Sequence, residues 1–153
     1  MDFSHYGRKM KKHSQVFILF LWIVLIFPIF VNCENLDLDK MRMVMRYQMR
    51  KMDKNVRTDI KKRESGEVDF YVDFKGHHDM NKVAAIMVYS AEVVYELAST
   101  YDLKGKEMKG YLYYSQGGEK HLRVGVIYCS FVAGENTPGE QAEVLGEHLE
   151  AVK

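Results

Sequence analysis

The chain has 153 residues, 47% of them hydrophobic, and a formal net charge of +1. That near-neutral total hides three blocks: residues 1–33 carry +3, residues 34–63 carry +5 and residues 64–153 carry −7. The acidic C-terminal block argues against a nucleic-acid partner, which needs clustered cations, and the only two cysteines, Cys33 and Cys129, exclude a disulfide framework.

The first element is an unbroken apolar run at residues 16–31 (VFILFLWIVLIFPIFV), preceded by Arg8, Lys9, Lys11 and Lys12. This layout predicts an export signal or a signal anchor over residues 1–33. The 16-residue run lies between the two classes: a spanning helix needs about 20 apolar residues, and a cleaved signal has a core of about 7–15. Pro28 breaks the helix near its end. Val31 and Cys33 can fill the −3 and −1 positions of a cleavage site after Cys33, although neither is the usual residue there. A lipoprotein site at Cys33 fits less well, because Phe30 and Asn32 stand where small or branched residues belong. The charge ahead of the run keeps the N-terminus in the cytoplasm and exports the rest. The basic segment at 34–63 weakens that asymmetry but lies on the far side of the run.

Residues 36–56 read as an amphipathic helix with Asn35 or Asp37 as N-cap. Met41, Met45, Met49, Met52 and Val56 form its apolar stripe, and Arg42, Arg46, Arg50, Lys51 and Lys54 lie largely off it. Such a helix packs on the domain, pairs with a copy of itself, or lies against anionic headgroups at about 1 kcal/mol per basic residue. Charge runs more often simply stay in water. Residues 57–66 are polar and read as a linker, which sets a basic helix and linker at 34–65 apart from an acidic domain at 66–153.

Within that domain, residues 67–74 alternate strictly, with Val68, Phe70, Val72 and Phe74 on one face and Glu67, Asp69, Tyr71 and Asp73 on the other: a strand with one wet face. Gly76-His77-His78-Asp79 is a turn, and Asp79 caps a long central helix over about 80–101. Residues 111–115 and 122–131 read as two strands joined at Gly117-Gly118, a hairpin turn with no phosphate-loop residues behind it. The second strand is apolar on both faces and is expected in the middle of the sheet. Thr137, Pro138 and Glu140 form a capping box for a last helix, with Ala142, Leu145, Leu149 and Val152 as its stripe. The expected fold is α+β: after the signal or anchor helix, elements in the order α-β-α-β-β-α, a mainly antiparallel sheet of three or four strands, and helices on one face.

Four features could carry chemistry. His77 and His78, with Asp79, are metal-ligand types, but adjacent residues rarely aim at one ion; His121 and His148 could join them only through the fold. Met41 and Met45 could bind Cu(I), yet their helical spacing fits core packing better. Cys129 sits mid-run in apolar surroundings, as a structural thiol does. Glu67, Asp69 and Asp73 could do acid–base work, although alternation alone accounts for them. Tyr71, Tyr111, Tyr113, Tyr114 and Tyr128 suggest an aromatic sheet surface, and Met45, Met49 and Met52 a helix surface, for a protein partner or self-association. No cofactor motif is present. The reading is a small binding module outside the cytoplasm, membrane-tethered or secreted, and not an enzyme; a copper- or zinc-binding protein is the alternative, and a small hydrolase the third.

Overall fold

A computed structural model describes residues 36–75 and 79–152 of the chain. The apolar run at 16–31 and the pair His77-His78 lie outside these residues. The described part is α+β, with four α-helices and one five-stranded sheet, strand order β1-β2-β3-β4-β5.

Helix α1 (Leu38–Met52) begins at Asp37, whose side chain accepts from the Lys40 N–H at 3.1 Å. Met41, Met45 and Met49 are fully buried on its inner face. The helix stops at Asp53, so Val56 opens strand β1 (Val56–Lys62) instead of closing the methionine stripe. This corrects the expected linker at 57–66. The segment hides its strand because it buries only Val56 and Ile60, four residues apart, while Arg57, Lys61 and Lys62 stay exposed. Charged outward positions of this kind are how edge strands avoid pairing with other chains. The strand pairs antiparallel with β2 (Val68–Phe74) in a register that sets Ile60 opposite Phe70. Residues 37–153 cluster as one compact unit.

Helix α2 (Met80–Thr100) starts where Asp79 accepts from the Lys82 N–H at 2.8 Å. It is long and apolar enough to cross a membrane, but Ile86, Ala91, Val94 and Leu97 are buried in the protein core. Its N-terminal Lys82 also forms an ion pair with Asp53, tying it to the end of α1. The chain returns through a short 3₁₀ turn (Glu107–Lys109) into β3 (Tyr111–Gln116), which lies parallel to β2 with Phe70 opposite Leu112. Gly117 and Gly118, at φ 67° and 93°, make the two-residue turn into β4 (Glu119–Gly125); both central positions of such a turn need positive φ.

Strand β4 ends at Gly125, which corrects the strand expected over 122–131. Residues Val126–Tyr128 form a 3₁₀ turn, and Cys129–Gly134 form helix α3. The buried residues are Val126, Cys129 and Val132, spaced by three, whereas Ile127, Tyr128 and Phe131 are exposed. A continuous apolar run carries periods of two and three alike, so alternation alone misassigns it. Helix α4 (Pro138–Glu147) has the expected capping box: Glu140 N–H donates to Thr137 Oγ1, and Thr137 N–H donates to Glu140 Oε2. Its stripe is shorter than expected. Only Leu145 is buried, and the chain turns back so that β5 (Glu150–Ala151) pairs with β4. Strand β4 is therefore flanked by a two-residue strand, not central in a broad sheet.

The register sorts the sheet into two faces. Val56, Ile60, Val68, Phe70, Val72, Leu112, Tyr114 and Val124 share the core face. There Tyr114, 2% exposed, donates to the Met87 carbonyl at 2.8 Å and lies 3.2 Å from Ser90 Oγ, both on α2. Gly110 leads into β3 so close to β2 that a Cβ there would lie 1.8 Å from the Val68 carbonyl oxygen. Gly110→Ala is expected to destabilise the domain by at least about 2 kcal/mol in urea unfolding, since backbone must move. Gly146→Ala, in α4 with nothing within 4 Å of its Cβ, is expected to stabilise by up to about 1 kcal/mol.

Candidate interaction surface

The opposite face of the sheet carries a row of aromatic rings under basic side chains. Strand alternation places Tyr71 of β2 beside Tyr113 of β3, and Tyr111 two residues before it. The Tyr71 and Tyr113 rings stack with centroids 5.1 Å apart and planes 10° apart, and Tyr111 is tilted at 6.0 Å from Tyr113. Four cations lie over them. Lys120 Nζ is 5.0 Å from the Tyr71 centroid and 4.4 Å from that of Tyr113, and Lys61 Nζ is 5.3 Å from Tyr71. The Arg123 guanidinium stands 4.1 Å from Tyr111, with Arg63 at 5.9 Å. All are within the range where a cation is attracted to an aromatic face.

Asp69 organises this row from beneath. Its carboxylate, expected to be solvated on a wet face, is 2% exposed. Arg63 donates through Nε to Oδ2 at 2.6 Å and through Nη2 to Oδ1 at 2.9 Å, and Nη2 also donates to Tyr113 OH at 2.9 Å. The Tyr111 N–H donates to Oδ1 at 3.0 Å, and Tyr71 OH to Oδ2 at 3.4 Å. This two-point pairing raises the Arg63 pKa above its ordinary value. Desolvation, with the Asp69 charge second, pushes the Tyr71 phenol up to about 12. These four donors occupy both oxygens of the carboxylate. Asp73 is occupied as well: Ser115 Oγ and the Gly118 N–H both reach its Oδ1 at 2.9 Å, holding the hairpin turn. Glu67, just ahead of β2, accepts from Ser65 Oγ.

Several candidates turn inward. Tyr114 follows Tyr113 directly and so must face the core, which removes it from the aromatic surface. Met45 and Met49 are 0% exposed, as is Met41, because they fill the space under α1; of the methionines proposed as a contact surface, only Met52 is exposed, at 41%. Tyr128 leaves the sheet and stacks on His148 at 4.2 Å, with Phe131 alongside at 6.2 Å. His121 sits where the β3–β4 register shifts. Among the described residues no group of three or more His, Cys, Asp or Glu is placed to hold a metal ion. The Cys129 thiol is buried and its pKa is raised to about 12 by desolvation, which disfavours a thiolate nucleophile. A cleft of ≈ 410 Å³ between α2 and α4 is lined by no His, Cys or Ser, and its one carboxylate, Glu92, accepts from Gln141 at 2.6 Å. Sequence reasoning missed Arg63, Lys61, Lys120 and Arg123; only the cross-strand register brings them over the rings.

No protein-family model, curated protein or solved structure matches the chain.

Two predictions follow from the geometry. Asp69→Ala leaves Arg63 and the Tyr111 N–H without their acceptor, and is expected to cost about 3 kcal/mol. In a double-mutant cycle by chemical denaturation, Arg63→Ala should couple to it by more than about 1 kcal/mol; additivity would break the assignment. The second concerns alkaline pH. The fold holds the Tyr71 phenol protonated up to about 12, whereas the unfolded phenol ionises near 10. Its contribution to stability is therefore complete below pH 10 and lost as the pH rises through the folded value. The decline in melting temperature across that window should be shallower in Tyr71→Phe than in the parent.

Proposed function

We propose that this chain is a small protein-binding module that acts outside the cytoplasm, either held at the membrane by residues 16–31 or released by cleavage after Cys33. The observation that carries the binding role is the row formed by Tyr71, Tyr111 and Tyr113 under Lys61, Arg63, Lys120 and Arg123. Tyrosine and arginine are the residues that most often dominate interface energetics, because they present large, stiff contact areas with hydrogen-bonding ends. Tyr71 and Tyr111 are half-buried and Lys61, Arg63 and Lys120 are exposed, whereas Tyr113 is 6% exposed, so a partner would meet Tyr71, Tyr111 and the cations over them. The export reading rests on the basic residues before an apolar run. The metal-binding alternative draws no support from the described residues, and no described cluster favours hydrolysis.

The experiment is the intact mass of the protein in separated membrane and soluble fractions of its native host, combined with cross-linking from position 120. A full-length mass in the membrane fraction means a signal anchor. A mass beginning at about Glu34 in the extracytoplasmic soluble fraction means a released domain. A full-length soluble cytoplasmic protein overturns the export reading. A cross-link to a partner that disappears in folded Tyr71→Ala/Tyr111→Ala protein supports the outer face as the contact. One that persists unchanged overturns it.

A further inference from the structure

A second site lies at the edge of the sheet, where the end of α1 meets the start of β1. A pocket of ≈ 480 Å³ there is lined by Arg46, Arg50, Lys54, Arg57 and Lys75, together with Asn55, Val56 and Thr58. The cations come from four stretches of the chain. Arg46 and Arg50 are one turn apart on α1, so they project from one side of the helix. Lys54 lies in the turn and Arg57 on β1. The pairing of Val56 with Phe74 brings the end of β2, and Lys75 after it, beside Asn55.

No carboxylate lines the pocket, and none of the five cations forms an ion pair among the described residues. The acidic residue opposite in register, Asp73 facing Arg57, is engaged by Ser115 and the Gly118 N–H. Elsewhere the domain pairs its arginines: Arg42 with Asp39 and Asp59, Arg63 with Asp69, Arg123 with Glu150. One or two cations here are explained by the exposed carbonyls at the C-terminus of α1. Arg57, on β1, and Lys75, just after β2, are not, because neither lies at that helix end. Five like charges converging on one concavity repel each other and raise the local potential. Local rules broken in this way are expected at functional sites.

We propose that this pocket binds a phosphate-bearing anion. Arginine favours that chemistry, since its planar fork donates two hydrogen bonds to one phosphate group and lysine adds point charge. The ligand is either the headgroup of an anionic lipid or a soluble phosphate compound. The site is separate from the aromatic row and stands whether or not that surface binds a partner.

The test uses the full chain in a neutral detergent, with inorganic pyrophosphate as the calorimetric probe. The parent is expected to bind it saturably, and Arg50→Gln/Arg57→Gln to bind about tenfold or more weakly. Lys106→Gln/Lys109→Gln, which removes the same charge elsewhere, should match the parent. Adding phosphatidylglycerol to the micelles separates the sources: displacement of pyrophosphate identifies a lipid headgroup, and undisturbed binding identifies a soluble phosphate. All four substituted residues are exposed, so the variants should fold, and circular dichroism checks that they do. No saturable binding of either probe, equal affinity in the parent and the pocket variant, or an equal loss in the control variant would overturn the site.

Discussion

The buried carboxylate of Asp69 is the constraint on which the rest of the sheet's outer surface depends. An ionised carboxylate removed from water costs several kcal/mol unless its oxygens are filled by well-placed donors. Here the donors come from three parts of the chain: Arg63 in the β1–β2 turn, Tyr71 two residues along β2, and the first N–H of β3. The last of these ties the parallel β2–β3 pairing to a side chain, just where the ladder begins with Phe70 opposite Leu112. A slip of one residue would remove the Tyr111 N–H from Asp69 and turn Tyr113 into the core. The same Arg63 Nη2 that bonds Asp69 also bonds Tyr113 OH. Register, ring position and cation placement are thus one coupled arrangement.

Elements with a single clear period were legible in the residues alone. Asp37, Asp79 and the Thr137–Glu140 box cap the helices expected of them, and Gly117-Gly118 turns the expected hairpin. Failures fell where two periods coincide or where the element is too short to show one. Val56 continues the four-residue spacing of the methionines and so disguised the start of β1. Residues 126–132 are apolar at both strand and helix spacing, which disguised α3. The two residues of β5 carry no period at all.

The candidate surface was half legible for a related reason. Tyr71, Tyr111 and Tyr113 follow from alternation, and adjacency of Tyr113 and Tyr114 already requires one of them to face inward. The basic residues over the rings come from neighbouring strands and from the β1–β2 turn, and no one-dimensional pattern relates Lys61 and Lys120 to the same ring pair. Asp69 was misread because strict alternation treats every polar position on a face as wet. A parallel neighbour strand with tyrosines on both sides can bury one of them.

The two basic regions of the domain are chemically different, and that difference constrains what each can bind. On the outer face, Arg63 and Arg123 already hold carboxylates, and all four cations lie over rings. Two of these four charges are closely paired within the fold, so contact there would depend more on shape, ring area and hydrogen-bonding ends, and respond less to salt, than at a cluster with no ion pairs. In the pocket at the end of α1 the cations form no ion pair among the described residues, so attraction of an anion there would be electrostatic and would weaken as ionic strength rises. Residues 34–63, with a net charge of +5, supply the residues of α1 and β1 and so bring much of that charge to one edge of the sheet. The −7 of residues 64–153 lies on the remaining elements. A domain polarised in this way would present its α1–β1 edge to the anion proposed for that pocket, apart from the rings of Tyr71 and Tyr111 on the outer sheet face.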